Sequence, residues 1–319
     1  MEIGVRVTAQ AIGSDERHIN TGYLTVMAVD PETDKPVNTP RVLPENPAQE
    51  KQFELALGRR RLRMERKKLT GKPKAAGLAW TWSDEMSSEI SVANVYGLLR
   101  VASDFSLPWD RRELGGMGEK FEMRMEVNRN TFGSGVVTIR VWGRVSCDLK
   151  KMFKAVLDVE KRAEWDLAIA GTAVRQKIDA NNDILWTAYP SFSEPGTTTD
   201  YSLLRTWKQD EDRYIIASRS VAHPAVPVSA DGKYTRGEVN PSGFILSPWT
   251  MDDGMGDWRG DENAAQTSFD YLVQLDEATQ KMLGGNIGTA EANGEQAEAK
   301  YVQVLVGSLV KLCTMLSEE

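Results

Sequence analysis

The sequence predicts an α+β fold in which a curved antiparallel sheet is closed by a long C-terminal helix. Apolar and polar residues alternate over 121–127, 137–145 and 268–275, which is typical of strands with one buried face. An apolar stripe with helical spacing over 296–316 indicates a long amphipathic helix. Because the strands follow one another with few helices between them, we expect an antiparallel sheet with one solvated face.

The chain begins with two shorter strand patterns. Residues 3–11 alternate with period two, and residues 22–29 are apolar on nearly both sides. Helix formers resume in a segment that we place at 46–83, and within it residues 58–74 hold nine Lys or Arg against one Glu. This basic stretch fits a solvated helix face beside a domain boundary, with a docking surface for an acidic partner or a membrane as the alternative.

A new domain is predicted from Asp84, where Ser83 or Asp84 can cap a helix that runs to about Asp104. A second helix is expected at 148–157. The remaining strand predictions are 183–189, 201–207, 213–221 and 242–246. A helix closing over such a sheet leaves an interior that is either filled by side chains or kept open for a ligand.

Composition excludes several function classes. A net charge of −7 argues against a general nucleic-acid binder, which needs a basic surface. No run approaches the roughly eighteen uncharged apolar residues of a membrane span, and no signal-peptide pattern opens the chain, so we expect a cytoplasmic protein. The chain of 319 residues can supply cores for two modest domains.

The residues most often used in catalysis and metal binding are scarce. Cys147 and Cys313 are too few for a disulfide framework and have no CxxC partner, so we interpret them as buried thiols. His18 and His223 lie in no nucleophile or ligand motif, and His223, before Pro224, is expected to hold a turn. We therefore predict no catalytic residue, no metal site and no cofactor from the motifs.

Four separated segments carry a family resemblance. They read DVEKRAEWD at 158–166, DYSLLR at 200–205, YIIASRSV from Tyr214, and RGE followed by PSGFIL up to Leu246. In this order they resemble the START domain, over about 235 residues. The resemblance implies a helix-grip fold in which one lipid occupies an apolar tunnel between the sheet and the C-terminal helix.

The resemblance also implies where the tunnel residues lie: Trp186, Arg205, Phe244, Leu305 and Leu309. Arg205 stands where sterol-binding relatives place a cavity arginine, while Trp186 occupies the position of its acidic partner. A buried arginine needs compensation. Either a ligand carboxylate or phosphate supplies it, or a protein group such as Asp200 or a backbone carbonyl does. Trp165 and Asp166 are expected to pack in the core and to hold a turn, respectively, with a ligand-binding aromatic beside an acid as the alternative.

A second resemblance lies at the start of the chain. MEIGVRV and ERHINTGYLTVMAVD look like the last strands of an acyl-CoA-thioesterase hotdog domain. The expected organisation is a hotdog remnant over 1–45, a basic helical linker over 46–83 and a START domain over 84–319. The hydrolytic residues of the family are expected before Met1, so no catalytic residue is assigned.

Three function hypotheses follow. The first is an acyl-CoA thioesterase of the hotdog-plus-START type, in which this chain itself binds lipid or a fatty-acyl ligand. The alternative is a non-enzymatic lipid-binding or lipid-transfer protein, and an isolated scaffold that uses the basic helix is a third reading. Either of the first two predicts peripheral membrane contact during lipid exchange, no nucleic-acid partner, and a homo-oligomer only if the hotdog domain is complete.

Overall fold

The computed structural model describes residues 2–9, 17–26, 80–104, 107–112, 120–131, 136–190, 198–210, 212–230, 232–249, 265–275 and 292–318, with shorter stretches between 28 and 60 and residue 114. The chain forms two compact units, Met1–Pro73 and Lys74–Glu319. The predicted basic stretch at 58–74 lies, apart from Arg60, outside the described residues.

The first unit contains an antiparallel pair of strands, β1 (Glu2–Ala9) and β2 (Arg17–Thr25). The predicted second strand at 22–29 was wrong at both ends. Strand β2 begins and ends earlier than predicted, with Arg17 paired to Ala9 and Thr25 paired to Glu2. Helical residues follow at several positions between 47 and 60. The hotdog assignment and the three-part domain division stay predictions.

The second unit contains four helices and eleven strands among its described residues. The helices are α1 (Ser87–Ala102, after a 3-10 turn at Asp84–Met86), α2 (Leu149–Leu157), α3 (Arg162–Trp165) and α4 (Ala292–Glu318). The strands are β3 (Trp80–Thr81), β4 (Asp110–Arg112), β5 (Phe121–Thr131), β6 (Val136–Val145), β7 (Gly171–Lys177), β8 (Asn182–Pro190), β9 (Thr198–Asp210), β10 (Arg213–Ala222), β11 (Thr235–Arg236), β12 (Ser242–Pro248) and β13 (Thr267–Leu275).

The strands form one sheet in the order β4-β5-β6-β13-β12-β10-β9-β8-β7. Every neighbouring pair along this path is antiparallel, whereas the short β3 and β11 pair in parallel with β10 and β9. The predicted α+β fold with a terminal helix over an antiparallel sheet is confirmed. Strands β4 and β7 were not predicted, because they lie at the two ends of the path and are largely exposed, which removes the apolar alternation.

The two faces of the sheet have different covers. The inner face, which includes Met125, Val141 and Phe244, packs against the C-terminal half of α4 through Leu312 and Cys313. The prediction that the other face is solvated was wrong along the middle of the sheet. There, α1 buries a second apolar cluster, which consists of Val95, Leu98, Val101, Leu107, Ile215, Ala217 and Leu272.

A buried amide fixes α1 on this outer face. The side-chain nitrogen of Asn94 donates to the carbonyl oxygens of Leu204 and Ala217, at 3.2 and 2.9 Å, so one residue joins the helix to β9 and β10. Buried polar groups are stabilising only when they are hydrogen-bonded, and this geometry sets the position of α1 along both strands.

Helix α4 is long and apolar enough to cross a membrane by length and composition alone, over Ala299–Glu318. Its apolar stripe is nevertheless used inside the domain, since Leu309, Leu312 and Cys313 are at most 1% exposed. The stripe therefore packs against the sheet as the sequence predicts.

Candidate functional site: a cavity under the terminal helix

A cavity of about 140 Å³ lies between the inner face of the sheet and α4. Most of its wall is apolar, with Ile216 and Phe244 from the strands facing Leu305 and Leu309 of the helix. Helix α3 and the turn after it close one side. The rest of the wall includes polar side chains, among them Arg162, Asp166, Tyr189, Arg205, Tyr271 and Ser308.

The structure brings together four of the five predicted tunnel residues. Arg205, Phe244, Leu305 and Leu309 all line the cavity, whereas Trp186 does not. Neighbouring side chains of a strand point to opposite faces. Because Asp183 of β8 stands opposite Arg205 of β9, Trp186, three positions along, is on the other face. The prediction that Trp186 lines the tunnel was therefore wrong, because its side chain points away from the cavity side of β8.

Trp186 has a structural environment of its own. Its indole nitrogen donates to an Asp200 carboxylate oxygen at 3.1 Å, and its ring meets Tyr234 edge-on at 5.6 Å. Asp200 in turn accepts two hydrogen bonds from Arg236, both at 2.9 Å. Asp200 is thus the partner of Arg236 and not, as considered from the sequence, of Arg205.

Arg205 is compensated by protein groups. Its guanidinium donates to both oxygens of Asp183, at 3.0 and 2.6 Å, and to the carbonyl oxygen of Leu157 at 2.6 Å. Of the two alternatives, the structure contains the one with a protein partner, including the predicted backbone carbonyl. The acidic residue is Asp183, which the sequence argument missed.

A second charged pair lies in the cavity wall beside α4. Arg162 donates to Asp166 at 3.1 Å and to the Tyr189 hydroxyl at 3.0 Å, and that hydroxyl donates to the same Asp166 oxygen at 3.1 Å. The other Asp166 oxygen accepts from the backbone N–H of Ala168 at 3.3 Å, which is the predicted turn. Trp165 is buried in the core, as predicted, with the Arg162 guanidinium 5.4 Å from its ring centre.

Burial keeps the phenols of this cluster neutral. It raises the pKa of Tyr271 to about 12 and that of Tyr189 well above its ordinary value, although Arg162 opposes both shifts. Burial alone would lower the pKa of Arg162, but the Tyr189 hydroxyl and the Asp166 carboxylate raise it on balance. At neutral pH the cluster therefore holds a cationic guanidinium and neutral phenol hydroxyls beside the carboxyl group of Asp166.

The turn that carries Asp166 also contacts α4. The backbone N–H of Leu167 donates to the Ser308 hydroxyl at 2.9 Å, and this hydroxyl donates to the Val304 carbonyl at 2.8 Å. A methyl group built on Gly307 would come within 3.1 Å of the Leu167 side chain. The polar cluster and the helix are thus held together at the edge of the cavity.

His223 holds a turn, and Cys147 and Cys313 pack in the core. The His223 Nδ1 accepts from the backbone N–H of Ala225 at 3.0 Å, which confirms the predicted turn. Cys147 and Cys313 are free and buried, and burial raises the pKa of Cys147 to about 11. No metal-binding group of three His, Cys, Asp or Glu occurs within the described part of the chain.

Comparisons with known proteins agree with this architecture. The family model described as START domain matches residues 117–253. The acetyl-coenzyme A thioesterase of Rattus norvegicus is 24% identical over 312 residues, which cover 96% of this chain and 51% of the relative. Acyl-coenzyme A thioesterase 11 of Mus musculus is 27% identical over 261 residues, covering 80% and 41%. The chain thus spans about half the length of these relatives.

Among solved structures, the human StAR-related lipid transfer protein 5 has a TM-score of 0.56 at 17% identity, covering 74% of this chain and 99% of that one. This likeness concerns the fold. The sheet order, the terminal helix and the family match coincide in the same unit. The second unit therefore has the START helix-grip fold, and the chain is similar over most of its length to coenzyme A thioesterases.

Proposed function

We propose that this chain is the START-containing part of an acyl-CoA thioesterase, and that the cavity under α4 binds one fatty-acyl or other lipid ligand. The observation that carries the proposal is the largely apolar cavity between the sheet and an amphipathic helix, with a polar cluster at its edge. Each methylene removed from water contributes about 0.8 kcal/mol, so a short acyl segment is enough for useful affinity.

The size of the cavity bears on how a ligand enters. About 140 Å³ is well below the roughly 300–1,000 Å³ of pockets that enclose drug-sized ligands. Among the described side chains in the N-terminal half of α4, Tyr301, Val302 and Leu305 are only partly buried. Binding of a whole lipid therefore requires this half of the helix to move outward, while Leu312 and Cys313 stay packed.

The proposal extends to the cellular compartment of the protein and to its contacts with membranes and with other copies of itself. We place the protein in the cytoplasm, in keeping with two free buried thiols. Contact with a membrane surface would occur while lipid is exchanged, and oligomer formation would depend on a complete hotdog domain.

Lipid extraction from vesicles tests the binding proposal. The 319-residue chain is mixed with vesicles that contain a self-quenched pyrene-labelled phospholipid or monoacylglycerol. We expect protein-dependent dequenching of at least one probe with saturable stoichiometry. Absence of extraction for every acyl probe, by protein that is folded by circular dichroism, would contradict lipid binding.

The thioesterase part of the proposal needs a separate assay. Acetyl-CoA and palmitoyl-CoA are offered to the chain and to a longer protein that includes a complete hotdog domain, and the released thiol is measured. We expect turnover by the longer protein only. Turnover by the 319-residue chain in proportion to its concentration would instead place a hydrolytic site within it.

The alternative function is lipid transfer without hydrolysis. It is favoured by a match to the human StAR-related lipid transfer protein 7, mitochondrial, at 25% identity over 53% of this chain and 44% of that protein. The discriminating result is movement of labelled lipid from donor to acceptor vesicles together with no hydrolysis by the longer protein.

A further inference from the structure

The charged side chains against the cavity cancel one another. Two arginines, Arg162 and Arg205, are each hydrogen-bonded to a carboxylate, Asp166 and Asp183. The second pair is bidentate, and the side chains of both pairs are at most 21% exposed. A buried ion pair leaves little positive field for a third charge, and a carboxylate brought into such a site without its own cation pays the full cost of desolvation.

The same wall still offers hydrogen bonds. Arg162 uses Nε and one terminal nitrogen, and its other terminal nitrogen has no partner among the described residues. The Tyr271 hydroxyl, kept neutral by burial, likewise makes no hydrogen bond within the described part of the domain. The Arg162 guanidinium can only donate hydrogen bonds, whereas the Tyr271 hydroxyl can donate and accept them. Together they fit an alcohol, or the carbonyl of an ester or amide.

We propose that the cavity selects lipids with an uncharged, hydrogen-bonding head over fatty-acid anions, and that Asp166 is the residue that sets this preference. The inference rests on the proposed lipid binding and narrows its ligand class. Asp166 acts through its charge. Because it is already paired with the Arg162 guanidinium, a ligand carboxylate would have to compete with Asp166 for the same cation. A hydroxyl or carbonyl head has no such competition, because it uses the remaining donor and Tyr271.

The test compares two ligands that differ only in the head, dodecanol and dodecanoate, at about pH 8, where carboxylates are ionised. Displacement of the neutral dye Nile red from the 319-residue chain gives both affinities. We expect dodecanol to bind the wild-type protein about tenfold or more tightly than dodecanoate, since burying a carboxylate without a cation of its own costs at least that factor. Equal binding, or tighter binding of dodecanoate, would overturn the inference.

Asp166→Asn removes the competing charge and should lower the dodecanol preference about tenfold or invert it. Asp200→Asn is the matched control, because Asp200 makes a similar buried pair with Arg236 but does not line the cavity. The control should keep the wild-type ratio even if both variants lose stability. An unchanged ratio in Asp166→Asn, or the same change in Asp200→Asn, would contradict the role of Asp166.

Tyr271→Phe offers a variant without a charge change. It should weaken dodecanol several-fold and leave dodecanoate nearly unaffected, as expected for the loss of one neutral hydrogen bond. An equal effect on both ligands would count against the proposed head position. If neither ligand displaces the dye from wild-type protein, the lipid-binding proposal itself fails, and this inference fails with it.

Discussion

Helices α1 and α4 cover opposite faces of the same sheet, but they pack differently. Ile90, Asn94 and Leu98 of α1 are completely buried. Helix α4 buries Leu312 and Cys313 to the same extent near its C-terminus, whereas Tyr301 and Leu305 are only partly buried and line the cavity. The difference shows that the two ends of one amphipathic helix can pack differently on a sheet. The C-terminal end of α4 fills the core, and Tyr301 and Leu305 cover a cavity.

This contrast has an energetic meaning. A side chain in a filled core loses its transfer energy and leaves a void when it is shortened, whereas one beside an existing cavity only enlarges that space. The C-terminal half of α4 and all of α1 should therefore carry stability, and the N-terminal half of α4 should carry ligand binding. The variants below test this division, from the largest expected effect to the smallest.

The largest difference is expected between two identical truncations. Leu98→Ala on α1 should lower the free energy of unfolding by about 2–5 kcal/mol, while Leu305→Ala on α4 should cost roughly 1–2 kcal/mol. Urea unfolding of both variants, followed by circular dichroism, measures the two values. Equal losses would mean that the N-terminal half of α4 is as tightly packed as α1.

Replacing the same two leucines by a larger side chain should also destabilise α1 more than α4, by smaller amounts. Leu98→Trp overfills a packed site and should cost about 1–3 kcal/mol, whereas Leu305→Trp can place its ring in the cavity at a cost below about 1 kcal/mol. The same ring should occupy the space that the lipid needs. Paired thermal midpoints and Nile red binding separate these outcomes, and a large midpoint loss with unchanged dye binding at Leu305→Trp would argue for a filled interior.

The last prediction concerns the slope of stability against pH in the alkaline range. Because burial raises the pKa of Tyr271 to about 12, the folded state keeps a proton that the unfolded chain loses above about pH 10. The free energy of unfolding should therefore fall as pH rises from about 10 to 12, by up to about 1.4 kcal/mol per pH unit. Tyr271→Phe should reduce this slope, and Tyr96→Phe, at a half-exposed position of α1, is the matched control. Equal slopes in the wild type and Tyr271→Phe would refute the assignment.

Much of the fold could be predicted from the sequence because apolar periodicity within a single strand or helix is a local feature. The alternation over Phe121–Val127 and the stripe ending at Leu316 correspond to β5 and α4. Edge strands such as β7 gave no such signal, since both sides of an exposed strand are polar. The cover of the outer face by α1 was also missed, because periodicity shows which residues are buried and not what lies over them.

The site was harder to predict because its residues meet through strand register. Arg205 could be singled out, but its partner depends on the pairing of β8 with β9, and Asp183 instead of Trp186 stands opposite it. Arg162 and Asp166 had a local signal in their i,i+4 spacing, with Arg162 at the start of α3 and Asp166 directly after its end. Tyr189 and Tyr271 join them from distant strands, and nothing in the linear sequence connects those positions.

The most direct test of the account is the stoichiometry of lipid binding by native mass spectrometry. Wild-type chain and Leu305→Trp are each mixed with dodecanol under the same conditions. We expect a single adduct on the wild-type protein and its loss from Leu305→Trp, with both proteins folded. An adduct of equal abundance on both proteins would contradict the claim that the lipid occupies the cavity under α4.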